Sequence, residues 1–137
     1  MGNSTTFLTI PAAQRLGTQV VYAEREIDFT VENLADAGTM DVLRLPKGAV
    51  PLRAGIITKT VNNDATAELA VACSTASITL LAAAALGNAN TVRVASLTTS
   101  AVLAADDTVR ITGSVATLAE AKIVVFVEYA VSDACRN

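Results

Sequence analysis

The closing run Lys122–Val131, KIVVFVEYAV, limits the fold more than any other stretch of the chain. Strict alternation puts Ile123, Val125, Val127, Tyr129 and Val131 on one wholly apolar face, while Val124 and Phe126 are apolar on the other, between Lys122 and Glu128. A strand with this pattern needs a core beneath it and a neighbour on each edge, so it is expected at the centre of a sheet. The second constraint is Thr39–Thr60, TMDVLRLPKGAVPLRAGIITKT, which reads as strand, turn and strand. Pro46, Gly48 and Pro51 interrupt any ladder running straight through it, which predicts a corner. In its second half Leu52, Ala54 and Ile56 share a face opposite Arg53 and Lys59, yet Ile57 falls on the charged side. Either Gly55 marks a bulge that switches faces or Ile57 is covered by something else.

The remaining chain is read around these two stretches. Residues 1–17 sustain neither a strand nor a helix period and form an N-terminal arm, with residues 18–137 as a single β domain. A terminus of this kind frays, but Phe7, Leu8 and Ile10 are costly to leave in water, and a neighbouring subunit gives them a destination. TQVVYA is a short strand, and EIDFTVE a second one with Ile27, Phe29 and Val31 on its buried face. NLADAG is a turn; VNNDAT, residues 61–66, reads as the turn of a hairpin leading into TAELAVA. SITLLAAAALG has strand character at Ile78 and Leu80 but an Ala-rich middle, and is expected to run from strand into a short helical turn ended by Gly87. TVRVASLTT and DTVRITGSV are two more short strands. Their shared Thr-Val-Arg fits either a duplicated unit or chance recurrence in β-rich sequence. About eight short strands with no sustained helical pattern predict an all-β antiparallel sandwich, jelly-roll-like.

The chemistry available is narrow. With no histidine, the commonest general base and transition-metal ligand are missing, and triads that use it are excluded. Cys73 and Cys135 lack the paired spacing of a zinc site, are too few for a disulfide framework, and read as free thiols. Asp106 and Asp107 are adjacent carboxylates without a calcium-type ligand run around them, and read as a turn opening a strand. Glu24, Glu26, Asp28 and Glu32 suggest a carboxylate pair only superficially, because alternation puts several on one solvated strand face. No catalytic residue, cofactor or metal is expected. The small apolar residues Ala and Val dominate, with three Phe, two Tyr and no Trp. At a net charge of −3 and without a basic cluster, a nucleic-acid partner is not expected. The opening MGNSTTFLTIP has neither a charged n-region nor a long apolar h-region, and no later run reaches a membrane span, so a soluble product of a cytoplasm is expected.

Arg44, Lys47, Arg53 and Lys59 remain. They read either as a basic patch for an acidic partner surface or as edge-strand protection against sheet-to-sheet aggregation. With Phe7, Leu8 and Ile10, the residues Arg44, Lys47 and Arg53 are the candidate partner contacts.

The run IDFTVENLADAGTMDVLRLPKGAVPLRAGIITKTV, with the later ADDTVRITGSVATLAEAKIVVFVEYAV, resembles small structural proteins of tailed bacteriophages, particularly capsid decoration (cement) proteins. The resemblance rests on the DVLRLPKGAV turn and the closing strand through Val-Glu-Tyr, and on no catalytic residue. It implies a β-sandwich or jelly roll, often trimeric, that binds the major capsid protein on the outer surface of the virion shell and braces it. It carries no site residues across. The alternative is a receptor- or carbohydrate-binding module of a phage tail or fibre, which the shortage of aromatic platforms, Tyr22 and Tyr129 only, counts against.

Overall fold

The computed structural model describes residues 18–97 and 101–132. The arm with Phe7, Leu8 and Ile10, and Cys135, lie outside the described residues. Eight strands follow in order: β1 Thr18–Asp28, β2 Thr39–Leu45, β3 Ala49–Thr60, β4 Glu68–Cys73, β5 Thr79–Ala85, β6 Thr91–Ser96, β7 Asp107–Ser114 and β8 Lys122–Ser132. They form two four-stranded antiparallel sheets, ordered β1-β8-β3-β6 and β2-β7-β4-β5. Every connection except β4 to β5 passes from one sheet to the other, which is the winding of a jelly roll.

The closing run is a central strand, as its pattern requires. β8 is held by β1 on one side and β3 on the other, and Ile123, Val125 and Val127 are fully buried beneath it. Against them the second sheet presents Leu69 and Val71 of β4 and Val109 and Ile111 of β7, all fully buried. Each such side chain contributes roughly 1.5–3 kcal/mol, so the core rests on many small aliphatic groups.

The corner is also present, with each half in a different sheet. β2 belongs to the second sheet and β3 to the first, so Pro46–Gly48 carries the chain across the end of the sandwich. Gly48 takes φ 86°, a left-handed conformation that a side chain would strain. The turn is pinned to the 103–106 segment: the Gly48 N–H donates to the Leu103 carbonyl at 2.9 Å, the Leu103 N–H to the Ala49 carbonyl at 2.9 Å, and the Lys47 N–H to Asp106 Oδ1 at 2.8 Å.

Several local expectations are corrected. TQVVYA and EIDFTVE are not two strands; one strand runs through Asp28 and stops there, because the Asp28 carboxylate accepts from the N–H and hydroxyl of Thr30 and closes a turn. Phe29 is buried, but Val31 is 84% exposed. Residues 61–66 are not a hairpin turn, since β3 and β4 lie in different sheets. Asp64 repeats the same Asp-x-Thr turn with Thr66, and the buried Asn62 amide ties the crossover down by donating to the Asp64 and Thr117 carbonyls and accepting from the Ala119 and Glu120 N–H groups. β5 remains a strand through Ala85 with no helical turn after it, because pairing with β4 satisfies its backbone. The two Thr-Val-Arg runs are not a duplicated unit: Val109 is buried and Arg110 outward on β7, whereas Val92 is exposed and Arg93 faces inward on β6.

The register of β3 shifts at Leu52, between Pro51 and Arg53, and again at Lys59, between Thr58 and Thr60, rather than at Gly55, and the first shift leaves Leu52 37% exposed instead of sharing the buried face of Ala54 and Ile56. Gly55 has another role. It pairs with Phe126 across the sheet, and a Cβ there would stand 2.5 Å from Phe126 Cζ and 2.7 Å from the Arg93 carbonyl oxygen. We expect Gly55→Ala to cost about 1–3 kcal/mol in urea unfolding, and Phe126→Ala in the same chain to recover only the part due to the ring, since the close approach of the Arg93 carbonyl remains; additive effects would show that ring and glycine are uncoupled.

Candidate assembly surface

The two outward faces of the sandwich differ in chemistry. On the second sheet, β7 turns Thr108, Arg110, Thr112 and Ser114 outward beside Ala70 and Ala72 of β4, a polar and small-residue surface. On the first sheet the middle of the outward face is apolar. Gly55 of β3 lies between Phe126 of β8 and Val94 of β6, and in the next row Ile57 lies between Val124 and Val92. Tyr22 of β1 stacks on Phe126, with ring centroids 5.5 Å apart, and Val20 continues the surface along β1. Val20 is 64%, Tyr22 50%, Val92 58% and Val94 48% exposed. A contiguous apolar area of this kind marks an interaction site more often than a solvated face.

Charges border this area in pairs. Arg53 Nη2 meets Glu128 Oε2 at 2.8 Å on one side, and Lys59 Nζ meets Glu26 Oε2 at 2.8 Å on the other, reaching across β8. The Lys59 ammonium holds the Glu26 carboxyl below its ordinary value. These exposed pairs add little stability, but each balances its own charge along one side of the area.

The sequence-derived contacts are not gathered in one patch. Arg53 and Lys59 lie on the outward face of the first sheet, on an interior strand, so edge protection does not explain them. Arg44 lies on β2, an edge strand of the second sheet, and Lys47 is exposed at the corner. Of the acidic residues on β1, Glu26 and Asp28 face Lys59 and Lys122, and no cluster with the composition of a metal site occurs among the described residues. The Cys73 thiol is buried, and burial, then the charge of Asp107, pushes it up to about 11. It is a packing group rather than a nucleophile. A sugar platform is equally ill served, since Tyr129 is 9% exposed and Tyr22 is covered on one face by Phe126.

Two residues that sequence reading passed over close the sandwich. Arg25, Val125, Ile56 and Arg93 occupy one row across the inner face of the first sheet, with an arginine on each edge strand. Arg25 Nη1 reaches the carbonyls of Asp41 and Val42 at 3.3 and 3.5 Å, where β2 is bulged. Arg93 donates to the carbonyl of Leu69 at 2.6 Å and of Ala85 at 3.3 Å, beside the irregular β4–β5 pairing. Burial pulls the Arg93 guanidinium below its ordinary value, partly offset by Glu68. The available signal was Arg25 sharing the parity of Val21, Ala23 and Ile27. An inward charge at each edge also discourages further strand addition.

No protein-family profile matches the chain, and no curated protein sequence matches it. Among solved structures it is similar to a chain in the capsid of Ralstonia phage GP4, with 19% identity over 83% of this chain and 84% of that one, at a TM-score of 0.62. A chain in the cyanophage Pam1 capsid asymmetric unit matches at 20% identity over 83% and 84%, TM-score 0.58. A chain in the acid-stable capsid of Helicobacter pylori bacteriophage KHP30 matches at 16% identity over 83% and 93%, TM-score 0.57. The fold is therefore one that also occurs in phage capsids.

Proposed function

We propose that this chain is a non-enzymatic structural protein of a bacteriophage head, a decoration or cement protein bound to the outer surface of the shell. The observation that carries the reading is the shared fold with chains from three phage capsids, each matched over 83% of this chain. An outward sheet face rich in Val, Ile, Phe and Tyr supports it, because a protein that acts by contact needs desolvatable surface more than a cleft. The partner is the major capsid protein of the shell, and the working unit is a homo-oligomer, with a trimer preferred. The exposed corner at Lys47 and the edge residue Arg44 are the contacts offered to the shell, with Arg53 beside the apolar face.

Shells lacking this protein, mixed with the purified chain and sedimented, test the reading. Saturable co-sedimentation at micromolar concentration, with greater resistance of the shells to heat, is the expected result. Failure to co-sediment overturns it, and binding to a glycan array instead would support the receptor-binding alternative.

A further inference from the structure

The apolar area of the first sheet forms a strip two rows deep, Phe126–Gly55–Val94 and Val124–Ile57–Val92, running across the strands. It is bounded along its length by the Arg53–Glu128 and Lys59–Glu26 pairs. Its ends differ. At β6 it opens to solvent through Val92 and Val94, while at β1 it is closed by the stacked Tyr22 ring and by Glu24. We propose that this strip receives the N-terminal segment of a neighbouring copy, with Phe7, Leu8 and Ile10 as the side chains that fill it.

Chemistry, length and direction favour this occupant. The charges along the strip's two long sides are paired within the chain, leaving Glu24 at its closed end, so an uncharged occupant fits its length; residues 1–14 carry no charged side chain, the first being Arg15. The segment before Thr18 is 17 residues long and spans up to about 55 Å when extended, more than the four-strand sheet it has to reach. It joins the molecule at β1, the edge opposite the strip's open end, and the direct line along β1 from Thr18 to its own strip crosses Tyr22, which stacks on Phe126. A neighbour's segment enters directly at β6. Such an arm-to-strip contact can be exchanged reciprocally between two copies or passed head to tail around a closed ring, the second of which suits the trimer of the proposed reading. The exchange itself does not rest on shell binding and is tested on the protein alone.

Two full-length variants decide it by complementation. Phe7→Asp/Ile10→Asp disables the segment and leaves the strip; Val92→Lys/Val94→Lys disables the strip and leaves the segment. Val92 and Val94 are exposed on β6, and circular dichroism checks that each variant keeps its β spectrum. In analytical ultracentrifugation we expect the natural chain to assemble with rising concentration, and each variant alone to lose that assembly by at least about tenfold in apparent affinity. Mixing the two should restore a species of two chains, because one copy supplies the segment and the other the strip. A monomeric natural chain, a variant that assembles normally, or a mixture that stays monomeric overturns the exchange. Shell co-sedimentation of the variants is scored separately, so loss of the exchange and loss of the decoration role are distinguishable.

Discussion

Val127→Asp unfolds the domain. Val127 is fully buried on β8, and its partners across the sheet are Ala23 on one side and Ala54 on the other, so a carboxylate there meets no cation and no donor. An uncompensated buried charge costs more than about 4 kcal/mol, a large part of the 5–15 kcal/mol that holds a domain of this kind together. Val125→Asp, two residues earlier and equally buried, is expected to do less damage, because Arg25 is its neighbour in the row and offers a guanidinium. Far-UV circular dichroism and urea unfolding rank the two. An unchanged melting temperature for Val127→Asp would mean that the assignment of the core face is wrong, and equal losses would show that Arg25 gives no compensation.

The second large effect is at Asp107, which is 6% exposed at the start of β7. One carboxylate oxygen accepts from the N–H groups of Thr75 and Thr108 and the Ser74 hydroxyl, and the other accepts from the Ala76 N–H. The carboxylate thus organises the turn between β4 and β5. Burial alone would raise its pKa, but these donors outweigh burial and hold it below its ordinary value of 3.8. The stabilisation is complete above the ordinary carboxyl value and disappears as pH falls through the lower folded value. Asp107→Asn keeps one acceptor but turns an NH₂ toward a backbone N–H, for a loss of about 2–3 kcal/mol at neutral pH. The difference from the natural chain should narrow in acid. A constant difference down to the acid-unfolded state would show that the charge is not what holds the turn.

Period-two alternation made the long strands legible, because burial and pleat agree there: β8, β7 and the corner follow directly from Ile123–Val131, Val109–Ile111 and Pro46–Gly48. Alternation failed where a polar side chain overrode it. Phe29 and Val31 kept the strand phase on paper, but Asp28 and Asp64 each precede a Thr by two residues and turn the backbone to satisfy themselves. The face of β6 was illegible for a different reason. Hydrophobicity alone would bury Val92 and Val94, whereas Arg93 at that edge reaches inward to the carbonyl of Leu69 on the second sheet, and the valines are left outward. That inversion creates the candidate surface, and it depends on the second sheet's backbone, which local pattern cannot reveal. Arg53 and Lys59 attracted notice as charges, yet their partners Glu128 and Glu26 are distant in sequence, so pairing became visible only with the register.

The row that begins with Arg25 and ends with Arg93 has an evolutionary consequence. Both guanidinium groups grip main-chain carbonyls, which every amino acid possesses. Drift at the exposed acceptor positions Asp41 and Ala85 can therefore replace the side chain without loosening the clasp, while at Val42 and Leu69 only the core restricts the choice. A sandwich fastened in this way can lose most of its sequence identity over time while its two sheets stay at the same spacing.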